Sequence, residues 1–410
     1  TGGTGNVGLG SGNLGTALTT GTDNVAIGEA SLDAVTTGSD NTAVGDNAGG
    51  ALTTGGNNVA IGSGALLVAT TASNNVAVGT SALTANSSGT DNVAVGDSAG
   101  DAVTTGSDNT LIGDNAGGAL TTGGNNVAIG SGALLVATTA ADNTAVGTLA
   151  LTANTTGTDN TAVGYTAGTA VTTGSNNTFV GDVSGVAVTT GASNTAIGAD
   201  SFKTATTGDH NTALGKQALE AATTSSYNTA VGSSAGAAIT TGASNVFVGY
   251  LAGTATTTAS DNVAVGKSAL DANTTGGNNV AIGTDALGAN STGNYNTAIG
   301  EGSLEANTTA DYNTALGWNA GKLITTGEHN TLVGREAGQA GNLSQSTLVG
   351  AAAGYAMTTA TASVGVGYAV LAQDTTGSSN TAVGWFSMYA NTTGANNTAV
   401  GTSALDANTT

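Results

Sequence analysis

A single spacing governs this sequence. Asn recurs at Asn24, Asn41, Asn58, Asn75, Asn92 and Asn109, and onward to Asn330, with an unchanging period of 17 residues. With that Asn as position 1, the unit reads N-[TV]-A-[VI]-G-x-x-A-[LG]-x-A-x-T-T-G-x-[DN], and position 5 is Gly in every copy from Gly28 to Gly401. A repeat of this length is one supersecondary element that buries its apolar groups only by stacking on its neighbours. The register slips twice. One extra residue lies between Asn6 and Asn24, and one fewer lies around Gly338 to Gly350, where Ser346 stands at position 1. Residues 46–72 and 114–140 are identical, as recent duplication of a four-unit block would leave them.

The unit is a poor helix, with two Gly and adjacent Thr and Asn in 17 residues. Thr or Val at position 2 and Val or Ile at position 4, with Ala between, predict a short strand whose β-branched face points inward. Gly at position 5 then turns the chain, a second segment runs through positions 8 to 12, and Thr-Thr-Gly with Asp-Asn or Asn-Asn closes the coil. The chain has no Pro, where about 5% is usual, as ladders needing every N–H require. The fold expected is all-β, a parallel β-solenoid or β-roll of about 24 coils. It forms a single repeat rod over residues 1–410, irregular at 1–23 and 335–363 and about 110 Å long at the strand spacing. Stacking would place the position-1 Asn side chains in a ladder of amides. Both Thr1 and Thr410 fall inside the repeat pattern, so the chain reads as a segment of a longer one.

A compensation between positions 9 and 12 locates the core. Where position 9 is Gly, position 12 is mostly large and apolar: Leu52, Val103, Leu120, Val171, Val188, Ile239, Ile324 and Met357. Where position 9 is Leu, Phe or Met, position 12 is mostly Asn or Asp, as in Leu83 with Asn86 and Leu270 with Asn273. Close packing penalises both a hole and an extra methylene, so the two side chains compete for one volume. Lys216, Lys267 and Arg335 at position 6, Lys203 and Lys322 at position 10, and most Asp at positions 6 and 17 mark the solvent side. The core is thin, and a homotrimer sharing apolar surface would bury more of it.

Composition removes several function classes. Five Lys and Arg against 26 acidic residues give a net charge of −21, which repels nucleic acid and anionic membranes. The absence of Cys removes thiol nucleophiles and thiolate metal sites, and no apolar run approaches the ~20 residues of a membrane span. Hydrophobic residues at 39%, regularly placed, argue against disorder.

The pattern N-[TV]-A-[VI]-G-x-x-A-L-x-A-N-T-T-G, clearest at Asn262 to Gly276 and Asn397 to Asn408, resembles the head repeats of trimeric autotransporter adhesins, whose units contain a similar Asn-x-Val-Ala-Ile-Gly core. It is also similar to longer repeats of phage tail-fibre proteins. The resemblance implies a trimeric parallel β-roll on a cell or virion surface, with binding spread along it. The adhesin head unit is shorter than this one, and no coiled-coil stalk or membrane anchor occurs in this sequence.

Candidate chemistry is sparse. His210 and His329, both at position 17, lie seven coils apart, roughly 34 Å at the strand spacing, and build no triad. GSGNLG at Gly10 to Gly15 matches a dinucleotide fingerprint without its βαβ context. Asp23, Asp40, Asp91, Asp108, Asp142 and Asp159 stack in pairs at position 17 and are weak calcium candidates. No other metal, cofactor or catalytic residue is indicated. Exposed aromatics gather toward the C-terminal end, and Tyr368, Trp385, Phe386 and Tyr389, with Trp318 earlier, are the ligand-binding candidates for a surface glycan or protein receptor.

The function these features indicate is a non-enzymatic, extracellular fibrous protein, the shaft or head of a surface adhesin or phage tail fibre, whose first partner is itself. The alternatives are a self-assembling structural filament or sheath subunit and, from the Thr pairs at positions 13 and 14, an ice-binding solenoid.

Overall fold

A computed structural model describes residues 3–14 and 17–410. The chain divides into two compact units, Thr1–Asp209 and His210–Thr410. The first holds β1 (Val7–Leu9), β2 (Val25–Ile27) and on to β12 (Thr195–Ile197); the second holds β13 (Thr212–Leu214) to β24 (Thr398–Val400). Every strand has three residues, and within each unit the strands lie parallel to their neighbours one repeat away, in register: Val25, Ala26 and Ile27 against Thr42, Ala43 and Val44 in the first unit, and Val263, Ala264 and Val265 against Val280, Ala281 and Ile282 in the second. This is the parallel β-solenoid expected. No helix occurs among the described residues, and none is long and apolar enough to cross a membrane.

The position-5 glycine sets the strand length. Its φ lies between +129° and +143°, which a side chain disfavours, and a Cβ on Gly45 would sit 2.6 Å from the carbonyl oxygen of Gly62 in the next coil. The strand ends there because only Gly turns the chain while the backbones stay in contact. Positions 8 to 12 form a run of turns rather than a strand. Those turns are laddered too: the N–H of Leu32 donates to Ala48 O at 3.1 Å and that of Thr36 to Thr53 O at 2.9 Å.

The strand faces the opposite way to the sequence expectation. Position 3 points into the coil, with Ala43, Ala77 and Ala94 wholly buried, while the β-branched residues at positions 2 and 4 point out, Ile27 and Ile61 being 38% and 39% exposed. The cause is volume. Side chains at positions 8, 9 and 12 already fill the interior, so the inward strand residue is Ala unless another position gives way. Leu111, Phe179, Phe247, Leu332 and Leu348 are the larger residues at position 3, and position 9 of the same coil is then Gly: Gly117, Gly185, Gly253, Gly338 and Gly354. A Cβ on Gly253 would stand 2.6–2.7 Å from the Phe247 ring.

The competition between positions 9 and 12 is real, with position 3 as a third contributor. A Cβ on Gly236 would lie 3.3 Å from Cδ1 of Ile239, its own position-12 partner, and 2.8 Å from the Phe247 ring. Phe247 also accounts for Thr256, a coil with Gly at position 9 and no large apolar residue at position 12. Asn at position 12 has a further use. Asn273 Oδ1 accepts the Gly276 N–H at 3.1 Å and its Nδ2 donates to Gly276 O at 2.9 Å, closing the Thr-Thr-Gly turn.

The amide ladder is present in both units. Asn41 donates its N–H and Nδ2 to Asn24 Oδ1 at 3.1 and 3.0 Å and its Nδ2 to Gly55 O at 3.0 Å, and the pattern repeats at Asn58, Asn75 and Asn92. These side chains are almost fully buried. Each bond adds about 0.5–1.5 kcal/mol net, and a missing partner costs more, so the column penalises any slip in coil register.

Candidate functional site

The repeat breaks its own rules in the second unit. In the coil beginning at Asn330, position 12 is Gly341, which supplies no core group, and the coil has one residue fewer. Leu343, from the following turn, fills the core instead and is fully buried. Asn342 Oδ1 gathers the N–H groups of Thr325, Thr326 and Gly327 at 3.1, 2.9 and 2.6 Å. In the amide column Ser346 and then Ser363 replace Asn. Their hydroxyls accept the next N–H at 3.4 and 3.3 Å, longer than the 2.9–3.1 Å bonds elsewhere in the column.

Beside this seam lies a cleft of about 320 Å³ lined by Glu336, Ala352, Tyr355, Tyr368, Ala369, Ala372, Gln373, Phe386 and Tyr389. Ala352 and Ala369 occupy position 7, where most other coils carry Asn, Ser, Asp or a larger group, and they open its floor. Aromatics from position 6 (Tyr368), position 7 (Phe386) and position 10 (Tyr355, Tyr389) form its walls. Phe386 is held edge-on by three rings: Trp385 at 4.3 Å, Tyr389 at 4.9 Å and Tyr368 at 5.6 Å, with interplanar angles of 73°, 82° and 89°. Gln373 Nε2 donates to Tyr389 Oη at 3.4 Å, and Glu336 pairs with Arg335 at 3.3 Å.

Of the residues singled out in the sequence, Tyr368, Phe386 and Tyr389 come together in the cleft. Trp385 backs Phe386 from outside, and Trp318 lies outside the lining. Tyr355, Glu336, Gln373 and the alanine floor are additions. The signal for them was the pair of alanines at position 7 flanked by aromatics at position 10.

Next to Gln373 in the chain, the buried Asp374 stands where several other coils place a buried Asn. Its Oδ1 accepts the Gly377 N–H at 2.8 Å, and its Oδ2 accepts Asn391 Nδ2 and Asn380 Nδ2 at 3.0 and 3.2 Å. Burial raises its pKa above the ordinary carboxylate value of 3.8, against the lowering effect of those three donors.

A second cleft of about 440 Å³ is acidic, lined by Asp271, Asp285 and Glu305 with Lys322, which pairs with Glu305 at 3.1 Å. Burial, then the Asp285 charge, raises the pKa of Asp271.

Position 17 carries exposed ladders. Asp23, Asp40, Asp91, Asp108, Asp142 and Asp159 are exposed, with φ of 58–60°, a left-handed conformation that Asp and Asn tolerate best and that accounts for their choice there. Among the described residues no three His, Asp or Glu side chains converge as a metal-holding group. His210 stacks on Tyr227 at 5.2 Å, and Tyr295, Tyr312 and His329 form a face-to-face stack at 5.1 Å per step. Gly10 is a position-5 glycine at φ +135°, opening a solenoid turn, while Gly15 of the GSGNLG match lies outside the described residues. The position-13 hydroxyls are consumed within the stack, as in Thr36 Oγ1 donating to Thr53 O at 3.1 Å.

No protein-family model matches this sequence, and a search of the curated proteins returned no match.

Proposed function

We propose that this chain is a structural and adhesive element of an extracellular fibre, non-catalytic and assembled from copies of itself, as a trimer in the manner of adhesin heads or tail fibres. One observation carries the reading. The outward face of the strands repeats Thr or Val and then Val or Ile coil after coil in both units, with Ile27, Ile61, Val95, Ile112, Val163 and Ile197 in the first and Leu214, Ile282, Leu316, Val366 and Val383 in the second all counted among exposed large apolar residues. Contiguous apolar surface of this kind marks an interface, and its in-register repetition suits a symmetric partner carrying the same ladder.

The test is the solution mass by light scattering, with a variant that charges the face while leaving neighbours paired within one chain: Val44→Lys, Ile61→Glu and Val78→Lys together. The wild-type chain is expected at three times 38.5 kDa and the variant at a lower mass with unchanged circular dichroism. A wild-type monomer overturns self-assembly, and an open-ended ladder of sizes replaces the closed trimer with a filament.

A further inference from the structure

The molecule contains two kinds of exposed aromatic cluster, and their geometries differ in a way that bears on binding. In the Tyr295, Tyr312 and His329 stack the rings are parallel within 1° and 4°, so each inner face is covered by the next ring and the row completes itself. In the cleft beside the seam the rings meet edge to face, at 73°, 82° and 89°. An edge-to-face cluster fixes its members as firmly as a stack does, but its rings are not laid face against face. Tyr355 and Tyr368 are 43% and 49% exposed at the cleft wall.

We propose that this cleft binds a neutral oligosaccharide, the aromatic faces packing against the C–H faces of pyranose rings while Tyr389 Oη, Tyr368 Oη, the Gln373 amide and the Glu336 carboxylate take sugar hydroxyls. The proposal deepens the adhesive reading and rests on it. Four features agree. The volume, about 320 Å³, falls at the lower end of the ~300–1,000 Å³ typical of ligand sites and suits a short glycan segment. The alanine floor at Ala352, Ala369 and Ala372 gives the rings a flat bed, and the first two stand at position 7, where most other coils carry a polar or larger group. The polar groups are of the kind that donate to and accept from hydroxyls, and Arg335, the neighbour of Glu336 in the chain, is already paired with it. With a net charge of −21, the surface disfavours sialylated or sulfated chains, so the ligand is uncharged. The cleft also sits where the repeat departs from its own pattern, and such departures collect at functional sites because stability alone does not favour them.

The experiment uses the full 410-residue chain on an immobilised panel of neutral gluco-, galacto- and manno-configured oligosaccharides beside sialylated and sulfated ones. The variants are Tyr389→Ala, Tyr355→Ala and Gln373→Ala, with Tyr250→Ala, exposed outside the cleft, as control. Wild type and control are expected to bind at least one neutral glycan, and the aromatic variants to bind about tenfold more weakly or not at all. Gln373 is exposed, so its variant keeps the test open if an aromatic replacement disturbs the coil; it is expected to lose several-fold. Silence on every neutral glycan, binding to acidic glycans alone, or binding unchanged in all three cleft variants overturns the proposal. Trimer mass retained with a silent panel refutes the sugar site and leaves the fibre; glycan binding by a monomer does the reverse.

Discussion

Two stretches of the amide column differ in what holds them. From Asn24 to Asn177 in the first unit, each Asn Oδ1 accepts both the N–H and the Nδ2 of the Asn one coil on, and each Nδ2 reaches a carbonyl of the next turn. From Asn330 to Asn380 in the second, two serines interrupt the column, the contacts lengthen to 3.3–3.4 Å, and Leu343 and Asn342 substitute for groups that the repeat lost. In the first stretch each coil dictates the chemistry of its neighbour. In the second that constraint is relaxed, and it is there that the surface acquires an aromatic cleft. The aromatic cleft thus coincides with the stretch in which the rule that makes the stack is loosened.

The strongest way to break the contrast is to damage the intact column. Asn143 Nδ2 donates to Asn126 Oδ1, Ala141 O and Gly157 O, and its Oδ1 accepts the N–H and Nδ2 of Asn160. Asn143→Ala removes all of these, leaves the buried Asn160 N–H without its acceptor, and opens a small hole. The expected loss is about 2–4 kcal/mol. Amide exchange read coil by coil is the suitable measurement, because long repeat arrays need not unfold as one unit. Exchange should quicken around residues 126–160 and reach or exceed the rate at Ser346 and Ser363. Unchanged protection would mean that the backbone ladder alone carries the register.

Much of this was legible in one dimension. The position-5 glycine announced itself because no other residue fits its φ or the carbonyl facing it, and the exchange between positions 9 and 12 was visible because the two side chains share a volume. The orientation of the strand was misread. Alternation fixes which residues share a face and not which face is inside, and the preference for burying Val and Ile over Ala fails in a coil whose turns have already filled its interior. Phe179 with Gly185 and Phe247 with Gly253 contained the answer, since a large residue at position 3 demanding Gly at position 9 makes sense only if position 3 points in. The cleft was half legible: Tyr368, Phe386 and Tyr389 were conspicuous, but its shape depends on ring orientations and on an alanine floor drawn from separate coils.

A sharper comparison replaces Asp374, a carboxyl at the position where Asn391 and Asn408, one and two coils on, carry amides. Asn273 and Asn290 show how an amide serves there: Asn273 Oδ1 accepts both the Gly276 N–H and Asn290 Nδ2, and its Nδ2 closes on Gly276 O. Asp374→Asn should adopt the same arrangement with Gly377 and Asn391. The folded state raises the Asp374 pKa above 3.8, so it binds the proton more tightly than the unfolded chain. The stability this supplies is complete below 3.8 and is lost as pH rises through the raised value. The variant lacks that loss. It should exceed wild type by on the order of 1 kcal/mol at pH 7, with the difference shrinking as pH falls through the raised value and levelling off below 3.8, measured as the shift in urea midpoint against pH. A pH-independent difference would assign the effect to packing rather than to charge.

The smallest effect is expected from mending the column in part. Ser363 Oγ accepts the Asn380 N–H at 3.3 Å and donates to Thr361 O at 3.5 Å, both near the limit of a hydrogen bond. In Ser363→Asn the new Oδ1 would take the Asn380 N–H and Nδ2 would reach Gly377 O, fourteen residues on, as Asn41 reaches Gly55. With Ser346 unchanged, one side of the gap stays open, so the gain is about 0.5–1.5 kcal/mol, read as slower amide exchange from residues 363 to 380. A loss instead would show that the shortened coil has moved the backbone away from amide register, so that serine is required by geometry. The same variant on the glycan panel separates two accounts of why seam and cleft coincide. Stabilisation with binding intact would make them independent neighbours, whereas stabilisation with weakened binding would mean that the cleft needs the looser coils beneath it to admit its ligand.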